Sequence, residues 1–124
     1  MPVKSYRELI VWQKAMNLAV EICRLVKLLP KSEIYALSDQ MRRVAVSIPS
    51  NIAEGQGRNS TKEYVKFLSF ARGSQTELET QLEICLRLEY LSVSDAEVAL
   101  GLCQEISKML VTMMKKLTDE DKSL

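Results

Sequence analysis

From Leu9 to Leu29 apolar residues return every three or four positions for six turns: Leu9, Trp12, Ala15/Met16, Ala19, Ile22/Cys23, Val26 and Leu29. Only an α-helix gathers such positions on one side, so the spacing predicts an amphipathic helix over about residues 6–29. A second set, Val11, Leu18 and Leu25, widens the stripe. A helix this apolar needs more than one neighbour to cover it. The spacing recurs three more times. It runs through Leu37, Met41, Val44/Ala45, Ile48 and Ile52, then Tyr64, Phe67/Leu68, Ala71, Leu78, Leu82/Cys85 and Leu88, and finally Ala99, Leu102/Cys103, Ile106, Leu110, Met113 and Leu117. Helices are therefore expected over about 37–54, 61–90 and 95–117 as well.

The punctuation between these stretches agrees. Ser5–Glu8, Ser60–Glu63 and Ser94–Glu97 each have the Ser-x-x-Glu form of a capping box, in which hydroxyl and carboxylate satisfy the free N–H groups of a first helical turn. Pro30 ends the first helix, and residues 31–37 connect it to the second. Pro49 lies inside the second stripe; because the spacing continues through it, a kinked helix is expected. Gly55 reads as the stop of that helix and residues 55–59 as a loop. Gly73 falls in mid-helix, where it costs about 1 kcal/mol relative to Ala, and this suggests the close approach of another backbone. The polar tail from Thr118 is expected to fray. With four Gly and three Pro in 124 residues, turns are too few for an all-β fold. The expectation is one all-α domain over residues 1–124, an up-down-up-down four-helix bundle with its longest helices about 35–45 Å long.

The chain has no histidine. Ser-His-Asp and Cys-His nucleophiles, His metal sites and the Glu-x-x-His repeats of di-metal bundles are all unavailable. Cys23, Cys85 and Cys103 are isolated and fall on or beside apolar stripes, so they read as core thiols in a reducing compartment. Glu79 and Glu83 are one turn apart with Arg87 a turn further, a solvated face more readily than an acid–base pair. No enzyme activity, metal or cofactor is expected. No apolar run approaches the length of a membrane span, and the first residues lack an export signal, so the expected location is the cytoplasm.

Net charge is +1, yet residues 1–72 hold 12 Lys/Arg against 6 Asp/Glu and residues 73–124 hold 5 against 10. Such a chain can attract nucleic acid on one side, pair with copies of itself, or neutralise itself within one fold. Arg42 and Arg43 on helix 2, with Arg58, Lys62 and Lys66 at the start of helix 3, are the candidate phosphate contacts of an RNA- or DNA-binding surface. The alternative is a solvated basic face, with Asp39 placed to pair with Arg43. Asn51, Glu54 and Arg72 are either a ligand site or, preferably, a hydrogen-bonded network that fixes the helix 2–helix 3 corner and the kink at Pro49. Trp12 and Phe70, with the second stripe of helix 1, are the candidate subunit interface.

Val11-Trp12-Gln13-Lys14-Ala15-Met16 and Ser47-Ile48-Pro49-Ser50-Asn51-Ile52-Ala53-Glu54-Gly55 resemble a bacterial four-helix-bundle family encoded within intervening sequences of large-subunit ribosomal RNA genes, sometimes given a ribosomal-protein label. Arg58, Ser60, Glu63-Tyr64, Phe67-Leu68, Ala71-Arg72-Gly73-Ser74 and Glu77-Leu78-Glu79-Thr80 continue the pattern. The resemblance covers residues 6–90 as motif and helix 4 as pattern. It marks Pro49, Asn51, Glu54, Gly55, Arg72 and Gly73 as a structural motif, and it implies a bundle assembling as a ring-shaped homo-oligomer, commonly a pentamer. The chain is also similar to the accessory protein of diversity-generating retroelements, a strongly basic pentameric bundle that engages nucleic acid and a reverse transcriptase. The resulting expectation is a non-enzymatic oligomeric bundle that contacts RNA or DNA through the helix 2–helix 3 surface. The second reading is a protein-binding scaffold without nucleic acid, and the third a small-molecule binder in the cavity of a ring.

Overall fold

The computed structural model describes residues 5–122, and those residues form four long helices with no strand among them. They are α1 (Ile10–Leu25), α2 (Asp39–Gln56), α3 (Thr61–Arg87) and α4 (Val93–Lys122). Side-chain pairs fix their directions. Met41 meets Cys85, Ser47 meets Ser74 and Gly55 meets Phe67, so α2 descends as α3 rises. Lys14 pairs with Glu105 across α1 and α4, and α1 also packs on α2, which closes a four-helix bundle.

Leu18, Ile22, Leu25, Met41, Ile48, Ile52, Leu68, Leu78, Leu82, Ile106 and Leu110 fill the core and are sealed from solvent. Burying each such side chain contributes about 1.5–3 kcal/mol. On α1 the centre of the buried face is Val11, Ala15, Leu18, Ile22 and Leu25, spaced 4-3-4-3. Of the expected principal stripe, Ala15, Ile22, Val26 and Leu29 are buried, but Trp12 and Ala19 lie half-buried on the flank and Met16 is 40% exposed. Ala15 and Ile22 belong to both stripes, so spacing alone could not choose between them. On α3, Leu88 was expected inside and is 51% exposed, while Gln75 and Gln81 are buried instead.

The ends depart from expectation for local reasons. The first capping box closes only a 3-10 turn, Tyr6–Glu8: Ser5 Oγ accepts from Arg7 N at 3.2 Å, and Leu9 is extended at φ −74°, ψ 124°. Thus α1 starts at Ile10, and a 3-10 turn, Val26–Leu28, finishes it before Pro30. The connector holds a 3-10 turn, Lys31–Glu33, and a π turn, Ile34–Ser38, that leads directly into α2; Tyr90 Oη donates to Glu33 Oε2 at 2.9 Å and ties it to the end of α3. Ser60 caps α3 as expected, accepting from Glu63 N at 3.1 Å. At the other end of α3, Glu89 takes a left-handed conformation (φ 62°), Tyr90 N bonds Cys85 O at 2.9 Å and Glu89 N bonds Leu86 O at 3.1 Å. This is a Schellman closure with Glu where Gly is usual, and it stops the helix at Arg87 rather than near residue 90.

The box at α4 is Ser92–Asp95, not Ser94–Glu97: Asp95 N donates to Ser92 Oγ and Ser92 N to Asp95 Oδ2, both at 3.0 Å. These bonds hold the Asp95 carboxyl below its ordinary range, with the nearby Arg24 charge adding to the effect. The tail expected to fray is helical through Lys122. At about 24 Å, α1 is short beside α3 and α4, which span roughly 40 and 45 Å. Because Lys14 in its second turn stands beside Glu105, α4 beyond about Met109 runs on past the start of α1.

Candidate functional site

Pro49 has no N–H to give the carbonyl one turn earlier, and its ring crowds that carbonyl. In α2 the helix nevertheless continues through it. Three neighbouring side chains bond to backbone carbonyls around the gap. Ser47 Oγ donates to Val44 O at 2.7 Å, Ser50 Oγ to Val46 O at 2.8 Å and Asn51 Nδ2 to Ser47 O at 2.8 Å. Ser47 Oγ also shares a 2.7 Å hydrogen bond with Ser74 Oγ on α3. The Ser-Ile-Pro-Ser-Asn run is thus a perturbation of the helix flanked by its own side-chain bonds and anchored to its neighbour.

The network expected among Asn51, Glu54 and Arg72 is not one network. Asn51 bonds within α2, Glu54 pairs with Arg58 at 3.0 Å, and Arg72 is exposed with its carbonyl accepting from Thr76 Oγ1. Neither motif glycine has the role expected of it. Gly55 does not end the helix; it is buried within α2, and a Cβ there would lie 2.8 Å from Phe67 Cβ. Gly73, where a close approach was expected, has nothing within 4 Å of the position a Cβ would take.

An open apolar groove of about 330 Å³ runs between α1 and α2. Tyr6, Trp12, Met16, Ala19, Val46, Pro49, Ser50 and Ala53 line it. Trp12 forms one wall, with the Tyr6 ring edge-on at 5.1 Å and the Arg7 guanidinium about 6 Å from its centroid. Gln13 Nε2 donates to Arg7 O at 3.0 Å and holds the 3-10 turn against the mouth of the groove. Pro49 forms the opposite wall, so the helix irregularity and the apolar face coincide. Of the expected interface residues, Trp12 is at this groove, while Phe70 lies on α3, 49% exposed and edge-on to Phe67 at 5.6 Å. Sequence reasoning placed Met16 and Ala19 in the core and missed Tyr6, Val46, Ser50 and Ala53. The visible signal was a helix with two apolar stripes and room for only one in its own bundle.

The five candidate phosphate contacts fall into two groups. Arg58, Lys62 and Lys66 gather at the α2–α3 corner, whereas Arg42 and Arg43 lie roughly 20 Å away along α2. Arg43 pairs with Asp39 at 3.0 Å; Arg58 pairs with Glu54 and covers the Phe67 ring at 4.6 Å. Lys62 shares a small hollow with Asp121 from the end of α4. Part of the basic surface is thus neutralised within the chain.

Cys23 is exposed, and Cys85 and Cys103 are buried. Burial pushes the Cys103 thiol up to about 12, with Glu79 adding to the effect, and raises Cys85 as well. A thiolate is the reacting species. At pH 8 a thiol reagent should therefore modify one cysteine in the folded chain and three in denaturant, with Cys23 as the labelled position by peptide mapping. Rapid labelling of all three without denaturant would contradict the buried positions. Among the described residues no group of His, Cys, Asp or Glu is arranged to hold a metal ion, and no helix is long and apolar enough to cross a membrane.

The family model of the 23S rRNA-intervening sequence protein matches residues 7–112, which include the groove lining except Tyr6 and the whole Pro49 run. The chain belongs to that family. Among solved structures, the chain is similar to a protein of unknown function from the S23 ribosomal protein family of Bacteroides thetaiotaomicron. The two are 30% identical and superpose with a TM-score of 0.80, over 86% of this chain and 99% of that one. No curated protein matches the chain. The family description names no enzymatic activity, and the solved relative is described as a protein of unknown function.

Proposed function

We propose that this family member is a non-enzymatic scaffold that assembles with copies of itself through the α1–α2 groove. The observation that carries the reading is the groove itself: an apolar trough walled by Trp12 and Pro49, which the described residues leave open. Met16 at 40% and Val20 at 68% exposure extend the apolar surface along α1. Large aromatic residues in partly enclosed apolar surroundings are the usual anchors of protein contacts. The internal pairing of Arg43 and Arg58 favours this scaffold over the nucleic-acid reading, because paired cations have less to offer phosphates.

Sedimentation velocity at micromolar concentration tests it. The unmodified chain should sediment as an assembly, and Trp12→Asp should weaken that assembly by about thirtyfold or more, as expected for a buried aromatic anchor. Trp12 is the sole tryptophan, so its emission should shift to the blue as concentration rises. Unmodified chain and Trp12→Asp sedimenting alike would overturn the proposal. Retention of RNA on a filter at low salt, lost in Lys62→Glu, would move the function to nucleic acid.

A further inference from the structure

Four exposed residues on the outer face of α3, Lys66, Phe70, Gly73 and Glu77, are spaced 4-3-4. Positions so spaced share one face of a helix. The spacing reads the same in both directions, with a cation and an aromatic ring on one side of its midpoint and a bare backbone and an anion on the other. We propose that this face docks antiparallel on the same face of a second copy. Each Phe70 ring then sits in the gap left by the other copy's Gly73, and each Lys66 meets the other copy's Glu77. The contact is separate from the α1–α2 groove and does not rest on the scaffold reading.

Three observations carry the pairing. Phe70 is 49% exposed in the middle of a helix, a large apolar projection in a T-shaped pair with Phe67. Gly73 carries a mid-helix glycine's cost of about 1 kcal/mol, yet among the described residues nothing beyond its own stretch of helix comes within 4 Å of where its Cβ would stand. No other described element supplies the close approach that would use such a gap; in this proposal another helix does, by packing at the short end of the usual 8–10 Å spacing. The charges then choose the orientation. Among the described residues neither Lys66 nor Glu77 has an ion-pair partner; Lys66 Nζ hangs 5.9 Å from its own Phe70 ring, and Glu77 has only a 3.5 Å contact from Gln81 Nε2. Antiparallel pairing joins the two opposite charges twice, whereas parallel pairing sets Lys66 against Lys66 and Glu77 against Glu77. A twofold contact of this kind is closed and self-limiting.

Charge exchange in the full chain tests this. In the Trp12→Asp background, where the groove contact is disabled, sedimentation should still detect a dimer in the micromolar range. Lys66→Glu and Glu77→Lys should each weaken it about tenfold or more, because each turns two attractions into two repulsions. The Lys66→Glu/Glu77→Lys double variant should restore it. So should mixing the two single variants, since every contact in the mixed pair joins opposite charges. Gly73→Leu should abolish the dimer while circular dichroism stays helical. If Trp12→Asp fails to fold, the same variants are read in the unmodified chain as a change in its larger assembly. Single variants that associate like their parent, or a mixture that recovers nothing, would overturn the contact, and so would a strictly monomeric Trp12→Asp chain. That last result would leave the groove proposal standing, and recovery on mixing would leave this one standing if the groove proposal failed.

Discussion

Gly55→Ala should destabilise the fold by about 1–3 kcal/mol, although alanine is the better helix former. The added methyl would stand 2.8 Å from Phe67 Cβ, 3.1 Å from Tyr64 Cδ1 and 3.3 Å from the Tyr64 carbonyl oxygen. A Cβ and a carbonyl oxygen belong to the frame of α3 and cannot swing aside as a side-chain tip can, so the two helices must separate. The separation also strains the Ser47–Ser74 hydrogen bond two turns away. Gly101→Ala is the matched comparison. Nothing lies within 4 Å of its Cβ position in α4, and it should gain roughly 0.5–1 kcal/mol. Urea denaturation at concentrations where the chain is monomeric reads both changes as shifts in midpoint with little change in slope. Equal effects of one sign at the two glycines would refute the close contact.

The second large effect is at Leu18. Leu18→Ala should cost about 3–5 kcal/mol, a large share of the roughly 5–15 kcal/mol that holds a domain together. Met16→Ala, only two residues away, should cost less than about 1 kcal/mol in the monomer because its side chain already meets solvent. The contrast measures the rotation of α1 directly. A chain in which Met16→Ala costs more than Leu18→Ala would have the Trp12 stripe inside and the α1–α2 groove closed.

These two sites show how much of the fold was legible. The four helices could be read because each carries a stripe of 3–4 period, and no other structure uses that pattern. The facing of α1 could not, since two stripes sharing Ala15 and Ile22 fit the same spacing, and only packing against α2 and α4 decides between them. The end of α3 was misplaced because Glu89 occupies a left-handed position that a glycine would have announced. The start of α4 was misplaced because Ser92 and Ser94 both offer a hydroxyl three residues ahead of an acid, and geometry selects the former. The two motif glycines were misread for a related reason. A glycine's cost is visible in a sequence, but the neighbour that requires it is not. At the candidate site, the run around Pro49 was legible as a motif, while the trough it walls was not, because the other wall comes from residues some thirty to forty positions earlier in the chain.

The overrun of α4 past the start of α1 gives the molecule a graded interior along its length. Where all four helices run together, the interior is Leu18, Ile22, Leu25, Leu78 and Leu82, side chains with few rotamers and no solvent contact. Toward the other end the shelter thins, and Met113, Met114 and Leu117 pack there only partly buried. Methionine is unbranched and refills irregular space at little cost. Branched side chains thus fill the interior where α1 lies alongside, and adaptable thioethers join them where α4 outruns it.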